Sequence, residues 1–293
     1  MKMATVIKFL LSSNPTKLAT ALEGKHSATV EAEYGDACVV GSILTMAHHG
    51  PRAGQKCPCS YENGCVDGVE VVGISHFDLD TLGGCAAIIG RKPEATTFWQ
   101  LAEFIDLNGA HKLNEGIEKI GATPDDVAKL FAFWAWSRNF RVFPNRDGSV
   151  SDVTDKVIEG CNTLEKIMNG DADLMKAGAV YKDAEGKLNA DSLVEAKDGV
   201  VVRISPQFTN HLYSLPDGKA HLAVVAYTTT TGAVTVSFAD APPKGKSARE
   251  IVQSLWGELA GGHAGIAGSP RDRRMSLVDF TEAVEATRAA LAG

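Results

Sequence analysis

The run Val71-Val72-Gly73-Ile74-Ser75, followed at once by His76-Phe77-Asp78-Leu79-Asp80-Thr81-Leu82-Gly83-Gly84, constrains the fold more than any other stretch. A short, continuously apolar segment reads as a strand buried on both faces, the habit of sheets covered by helices. The small residues after Asp80 open a helix that can pack closely on such a sheet. In an extended chain alternate residues share a face, so His76, Asp78 and Asp80 are expected to converge. Their expected place is the carboxyl end of the strand, where open α/β sheets bind ligands. One imidazole and two carboxylates suit a hard or borderline divalent cation such as Mn²⁺. Bridging carboxylates could hold two ions about 3.5 to 4 Å apart, the spacing of two-metal phosphoester chemistry.

Around this motif the chain divides by texture. Val6 to Leu11, Ala28 to Glu33, Ala37 to Thr45 and Val69 to Ser75 are β-branched and apolar and read as strands. Leu82 to Ile89 and Thr97 to Leu107 read as helices. Thr123-Pro124-Asp125-Asp126 carries a helix-start pattern of N-cap hydroxyl, first-turn proline and acids at the positive helix end. The aromatic residues that follow, Phe131, Phe133, Trp134 and Trp136, are expected in the core, and a second long helix is expected over Val153 to Met168. Strands are expected again at Val200 to Ile204, Ala220 to Tyr227 and Ala233 to Phe238, a loop at Pro242 to Gly245, and helices at Ala248 to Leu259 and Leu277 to Leu291. The expected fold class is α/β: a mostly parallel sheet domain with helices over residues 1–195, helical around 122–170, then a smaller α+β domain over 198–293.

The 293 residues are 44% hydrophobic and 22% charged, enough for a generous core. Twenty-nine basic against 36 acidic side chains leave a net charge of −7, which excludes a basic field for long duplex nucleic acid but not a local basic pocket. No apolar run approaches the roughly 18 to 20 residues of a membrane span. Met1 to Leu11 reads as a first strand rather than a signal peptide, and a cytoplasmic location is expected. Cys57-Pro-Cys59 and Cys65 lie just downstream of His48-His49. One residue rather than two separates the first pair, which departs from zinc-knuckle spacing, so reduced thiols in a loop are expected and zinc is the alternative.

His76-Phe77-Asp78-Leu79-Asp80 with Thr81-Leu82-Gly83-Gly84 resembles the first motif of the DHH phosphoesterase superfamily. Leu255-Trp256-Gly257-Glu258-Leu259-Ala260-Gly261-Gly262-His263-Ala264-Gly265-Ile266-Ala267-Gly268 resembles the glycine-histidine signature of its companion DHH-associated (DHHA1) domain. The two stand in the family order, about 180 residues apart. The resemblance implies an Mn²⁺-dependent hydrolase, with Mg²⁺ or Zn²⁺ as other candidate ions, that cleaves a phosphodiester or phosphoanhydride bond in a nucleotide or short oligonucleotide. By that resemblance His76, Asp78 and Asp80 would hold metal, and Gly261, Gly262 and His263 a substrate phosphate. Flexible glycines let backbone N–H groups approach an anion, and Arg271 could add charge. Arg273 and Arg274 read as a solvated turn.

Two features depart from the family pattern. Thr81 stands where the glycine after the second aspartate is usual, and no Asp-His-His occurs in the chain. Phe104-Ile105-Asp106-Leu107-Asn108-Gly109-Ala110-His111 is one stand-in, offering Asp106 as a ligand and His111 as an acid or base, although it reads helical. The other is Met46-Ala47-His48-His49, which follows a strand but carries Ala47 in place of the aspartate. Either a rearranged strand order brings His48 to the metal and His49 to the substrate, or the pair belongs to the cysteine loop. A catalytically degenerate nucleotide-binding protein and a zinc hydrolase of other chemistry are the competing functions. The expected partners are a small substrate, with a homodimer as the alternative to a monomer, and no membrane.

Overall fold

The computed structural model describes residues 7–293 except Lys244 and Arg271. The start of the expected first strand at Val6, Lys244 of the expected loop, and Arg271 of the expected phosphate site thus lie outside the described residues. The chain forms two compact units, Met1–Leu107 with Gly116–Tyr181, and Asn108–Glu115 with Lys182–Gly293.

The first unit contains β1 (Lys8–Leu11), α1 (Pro15–Leu22), β2 (Ser27–Val30), β3 (Glu33–Tyr34), β4 (Ala37–Cys38), β5 (Leu44–Met46), β6 (Val71–Ile74), α2 (Leu79–Ile88) and α3 (Thr96–Asn108). After α4 (Leu113–Ile120), whose first residues fall in the second unit, come α5 (Pro124–Ser137), β7 (Ser151–Asp152), α6 (Thr154–Met168) and the start of α7 (Ala172–Ser192). One sheet runs β5-β2-β6-β1-β7, with the first four strands parallel and β7 antiparallel to β1. The expected mixed α/β class with a parallel-containing sheet is therefore present. Residues 37–45 do not make one strand, because the chain bends at Ser42 and Ile43, just after Gly41, which is packed too closely for a side chain. A Cβ there would meet the Leu44 carbonyl and lie 2.8 Å from Ala28 Cα.

Small residues let α2 sit against the sheet. Every residue from Leu79 to Ile88 is buried, and a Cβ on Gly84 would lie 2.8 Å from both Val30 Cγ1 and Pro58 Cβ. Added carbon at such a site costs roughly 1–3 kcal/mol. The expected cap at Thr123 forms a full capping box with Asp126. Asn14 caps α1, accepting from the Lys17 N–H with Pro15 in the first turn.

The second unit holds β8 (Leu193–Lys197), β9 (Val200–Ser205), β10 (Ala223–Thr228), β11 (Ala233–Phe238), α8 (Ala248–Trp256), β12 (Gly261–Gly262), β13 (Ile266–Gly268) and α9 (Leu277–Ala292). Its sheet order is β12-β13-β11-β10-β9-β8, with only β9 and β10 parallel. Val200, Val202, Val225 and Val236 pack with Ile251 and Val252 of α8 and with Phe280 and Val284 of α9. The opposite face, through Val201, Val224 and Ala226, is covered by Tyr213 and Leu215 of the connection between β9 and β10. Fully buried Arg203 pins that connection. It donates to the Leu212 and Ser214 carbonyls, to the carbonyl and side-chain oxygen of Asn189, and to Ser192 Oγ. The domain boundary expected at 195–198 falls within β8 and its turn into β9, and the second unit's long segment begins earlier, at Lys182 in α7. No helix among the described residues is long and apolar enough to cross a membrane.

Candidate metal centre

Parallel strands deliver their carboxyl ends to one edge of the sheet, and the first unit loads that edge with ligand-type residues. Glu31 follows β2, His48 and His49 follow β5, and His76 follows β6. Asp78 caps α2, Asp80 lies in its first turn, and Asp106 comes from the last turn of α3. His76, Asp78 and Asp80 do not lie along one extended strand, as their alternation suggested. β6 ends at Ile74, and the turn into α2 sorts the three into two environments.

Asp80 goes to the interior. Its Oδ2 lies 3.2 Å from His48 Nε2, which also faces Glu31 Oε1 at 3.3 Å and Asp106 Oδ2 at 3.1 Å. His48, Glu31 and Asp80 are at most 3% exposed. None of these four facing atoms makes a properly directed hydrogen bond. A buried polar atom without a partner costs about 1–3 kcal/mol, and here three carboxylate oxygens are set against one imidazole nitrogen at 3.1–3.3 Å through charge contacts rather than directed bonds, the arrangement of a candidate ligand set.

His76 and Asp78 form the outer set. His76 Nε2 lies 3.0 Å from Asp78 Oδ2 and 4.0 Å from Glu31 Oε2, and both side chains remain nearly half exposed. His49 Nε2 reaches Glu31 Oε2 at 3.7 Å and Asp106 Oδ2 at 3.4 Å. Glu31 therefore presents one oxygen to each set.

Neighbouring groups hold this geometry. Glu33 accepts the His48 and His49 backbone N–H groups at 3.2 and 2.9 Å. Cys57 Sγ lies 3.2 Å from His48 Nδ1, and the Cys59 N–H donates to Asp80 Oδ1 at 2.7 Å. The Thr81 N–H donates to Asp78 Oδ1, and Ser75 Oγ meets both His76 Nδ1 and the Glu31 carbonyl. Glu31 itself sits at φ 50°, a left-handed conformation costing on the order of 1 kcal/mol or more for a non-glycine residue. Its N–H bond to the Met46 carbonyl and the Ser75 contact keep it there.

The electrostatics are unbalanced. Burial, then the neighbouring Asp80 charge, push the Glu31 carboxyl up to about 8. Burial opposes charge on His48, but the Asp106 and Asp80 carboxylates against its ring outweigh it and raise the imidazole to about 12. With Glu31 mostly protonated near neutral pH, one imidazolium faces the two aspartate carboxylates and one negative charge is left uncompensated; ionising Glu31 adds a second.

The expected ligands His48, Asp80 and Asp106 are thus brought together, with His49, His76 and Asp78 beside them. Both stand-ins for the absent Asp-His-His contribute, His48-His49 from one and Asp106 from the other. His111 has no part in the cluster. It belongs to the second unit, where its ring packs 4.8 Å from that of Tyr213. Glu31 escaped sequence reading, and its signal was an acid immediately after an apolar strand. The three cysteines do not make a site of their own. Among the described residues the sets able to hold an ion are Glu31, His48 and His49, and His48, Cys57 and Asp106.

In the second unit Gly261 and Gly262 line a cavity of about 500 Å³ with Phe208, Thr235, Ser269 and Arg273. Gly262, at φ 152°, has no room for a Cβ, which would lie 2.6 Å from Ala267 Cα. His263 is exposed, and its N–H closes the tight turn onto the Ile266 carbonyl. Arg273 and Arg274 are both exposed, as expected of a solvated turn; Arg274 also donates to the Thr229 and Thr230 carbonyls, and Arg273 lines the cavity. No protein-family model matches this chain, and no curated protein sequence matches it.

Proposed function

We propose that the first unit is a divalent-cation centre that hydrolyses a phosphodiester or phosphoanhydride bond, the chain being a divergent member of the DHH superfamily with a DHH-associated second domain. The observation that carries this reading is the convergence of Glu31 Oε1, His48 Nε2, Asp80 Oδ2 and Asp106 Oδ2, all without directed hydrogen bonds. The donor set fits the ion, since imidazole and carboxylates together suit Mn²⁺ and a dication offsets the uncompensated charge. When bound, the cation supplies Lewis acidity to a phosphoryl oxygen and acidifies a coordinated water.

The chain's own residues do the rest. Glu31, His48 and His49 would hold an ion, with Asp80 and Asp106 against the same His48 Nε2, and His76 and Asp78 would be further ligands beside them. For His48 Nε2 to offer its lone pair, Nδ1 must carry the proton and donate it to Cys57 Sγ, the orienting role usually filled by a carboxylate or carbonyl. Glu33 fixes the backbone beneath both histidines. His49, half exposed, is placed to orient substrate or protonate a leaving group. In the second unit, the cavity beside Gly261 and Gly262 gives a substrate anion a place to meet backbone and Arg273. The six unpaired cysteines suit a reducing compartment such as the cytoplasm.

The test is hydrolysis of a dinucleotide and of bis(p-nitrophenyl) phosphate with added Mn²⁺. Turnover by wild type that is lost in Asp80→Asn and His48→Ala supports the reading. An inert wild type with Mn²⁺ bound would move the assignment to nucleotide binding without turnover. The contact of Cys57 with His48 favours one second reading, a zinc centre of His48, Cys57 and Asp106. Co²⁺ substitution separates the two, because only the zinc-type site gives thiolate charge-transfer absorption.

A further inference from the structure

Residues 138–146, Arg-Asn-Phe-Arg-Val-Phe-Pro-Asn-Arg, carry three arginines and no acid in a chain of net charge −7. This loop joins α5 to β7 within the first unit. Arg141 and Arg146 are exposed, and Phe143 is 72% exposed, an unusual position for a phenylalanine. Asp147, the first acid after them, is turned onto Ser149.

The loop is fastened to the edge of the sheet that carries the centre. Ser12 Oγ, just past the carboxyl end of β1, donates to the Gly148 carbonyl at 2.8 Å, and Lys17 Nζ donates to the Asp147 carbonyl at 2.9 Å. At its other end the Phe140 ring stacks on Trp136 at 4.2 Å and lies 5.8 Å from Phe77, the residue between His76 and Asp78. The centre draws on the ends of β5, β2 and β6, and β1 is the next strand in the sheet. With strands about 4.8 Å apart, the loop lies roughly one to two strand widths beyond the metal ligands.

We propose that this loop is a binding arm for single-stranded oligonucleotide, with Phe143 stacking on a base and Arg141 and Arg146 meeting backbone phosphates. An exposed aromatic ring between cations is the arrangement that takes bases and phosphates together. The binding stands on the loop alone. That the bound strand runs on to a scissile bond at the cation centre rests on the function proposed above, and it makes the substrate a short oligonucleotide rather than a mononucleotide.

The experiment is a fluorescence titration of labelled pentathymidylate with the full chain in EDTA, across a series of salt concentrations. Because no metal is present, it reports on the arm whether or not the centre hydrolyses anything. Each phosphate contact contributes about 0.7 to the slope of log K against log salt for a single strand, so Arg141→Gln/Arg146→Gln is expected to flatten it by roughly 1.4. Phe143→Ala is expected to weaken binding about tenfold with the slope unchanged. All three side chains are exposed, so thermal melting confirms that the variants are folded. The proposal is overturned by any of four results: no binding by wild type, an unchanged slope in the double variant, undiminished binding by Phe143→Ala, or equal affinity for base-free polyphosphate.

Discussion

Replacing Glu31 by Gln separates the cost of burying its charge from the gain of binding a cation. In the metal-free fold the Glu31 carboxyl titrates at about 8 instead of 4.5, chiefly because it is buried and then because Asp80 is near. A folded pKa above the unfolded one means that the native state binds the extra proton, so stability falls as pH rises from about 4.5 to about 8. At pH 7 the penalty is about 3 kcal/mol, from 1.36 kcal/mol per pH interval between 4.5 and 7. Glu31→Gln keeps the shape and removes the charge, so the metal-free variant should be more stable than wild type at pH 7 to 8 and equal to it near pH 4. Mn²⁺ reverses the order. A ligand at 100 times its Kd adds about 2.7 kcal/mol to whatever binds it, and the wild type should gain this while the variant gains little. Thermal melting of both proteins at pH 4, 6 and 8, with EDTA or with Mn²⁺, reads all of these quantities. A Glu31→Gln protein less stable than wild type in EDTA at pH 8, or stabilised equally by Mn²⁺, would refute the reasoning.

Three further outcomes follow from other contacts. Cys57→Ala removes the partner of His48 Nδ1 and should weaken Mn²⁺ binding about 10- to 100-fold while leaving the fold intact, as calorimetric titration would show. Arg203→Met strands the oxygens of Asn189, Ser192, Leu212 and Ser214, and should cost about 3–5 kcal/mol in urea unfolding of the second unit. Burial raises the Asp126 carboxyl, but its bonds to Thr123 and Thr97 together outweigh this and hold it below the usual range. Its stabilisation is therefore complete above about pH 4 and lost as pH falls through the lowered value, and Asp126→Asn should flatten that acid limb of the melting curve.

Most strands were legible because strands covered on both faces are largely apolar, as in Val71–Ile74 and the Val200–Val202 run that opens β9. α7 was not, since its 21 residues mix Lys, Asp, Glu, Gly and Asn without an apolar stripe. α1 was also passed over, although Asn14-Pro15 carries a cap and first-turn proline. At the site, His76, Asp78 and Asp80 announced themselves by spacing, but for a mistaken reason. Strand alternation predicted one shared face, whereas the helix start turns Asp80 inward and leaves Asp78 as the N-cap. His48 and Asp106 were candidates from opposite alternatives, and only tertiary packing brings residues 58 positions apart to 3.1 Å. Glu31 was invisible because Ala28 to Glu33 reads as one strand with its acids as ordinary polar positions, whereas β2 ends at Val30 and Glu31 turns into the cluster.

Elemental analysis of the purified chain after dialysis against Mn²⁺, beside Asp80→Asn and His48→Ala, bears most directly on the claim that these residues form a cation centre. The expected result is one or two equivalents of manganese on wild type and loss of at least one in each folded variant. Manganese absent from wild type, or retained in full by both variants, would contradict it.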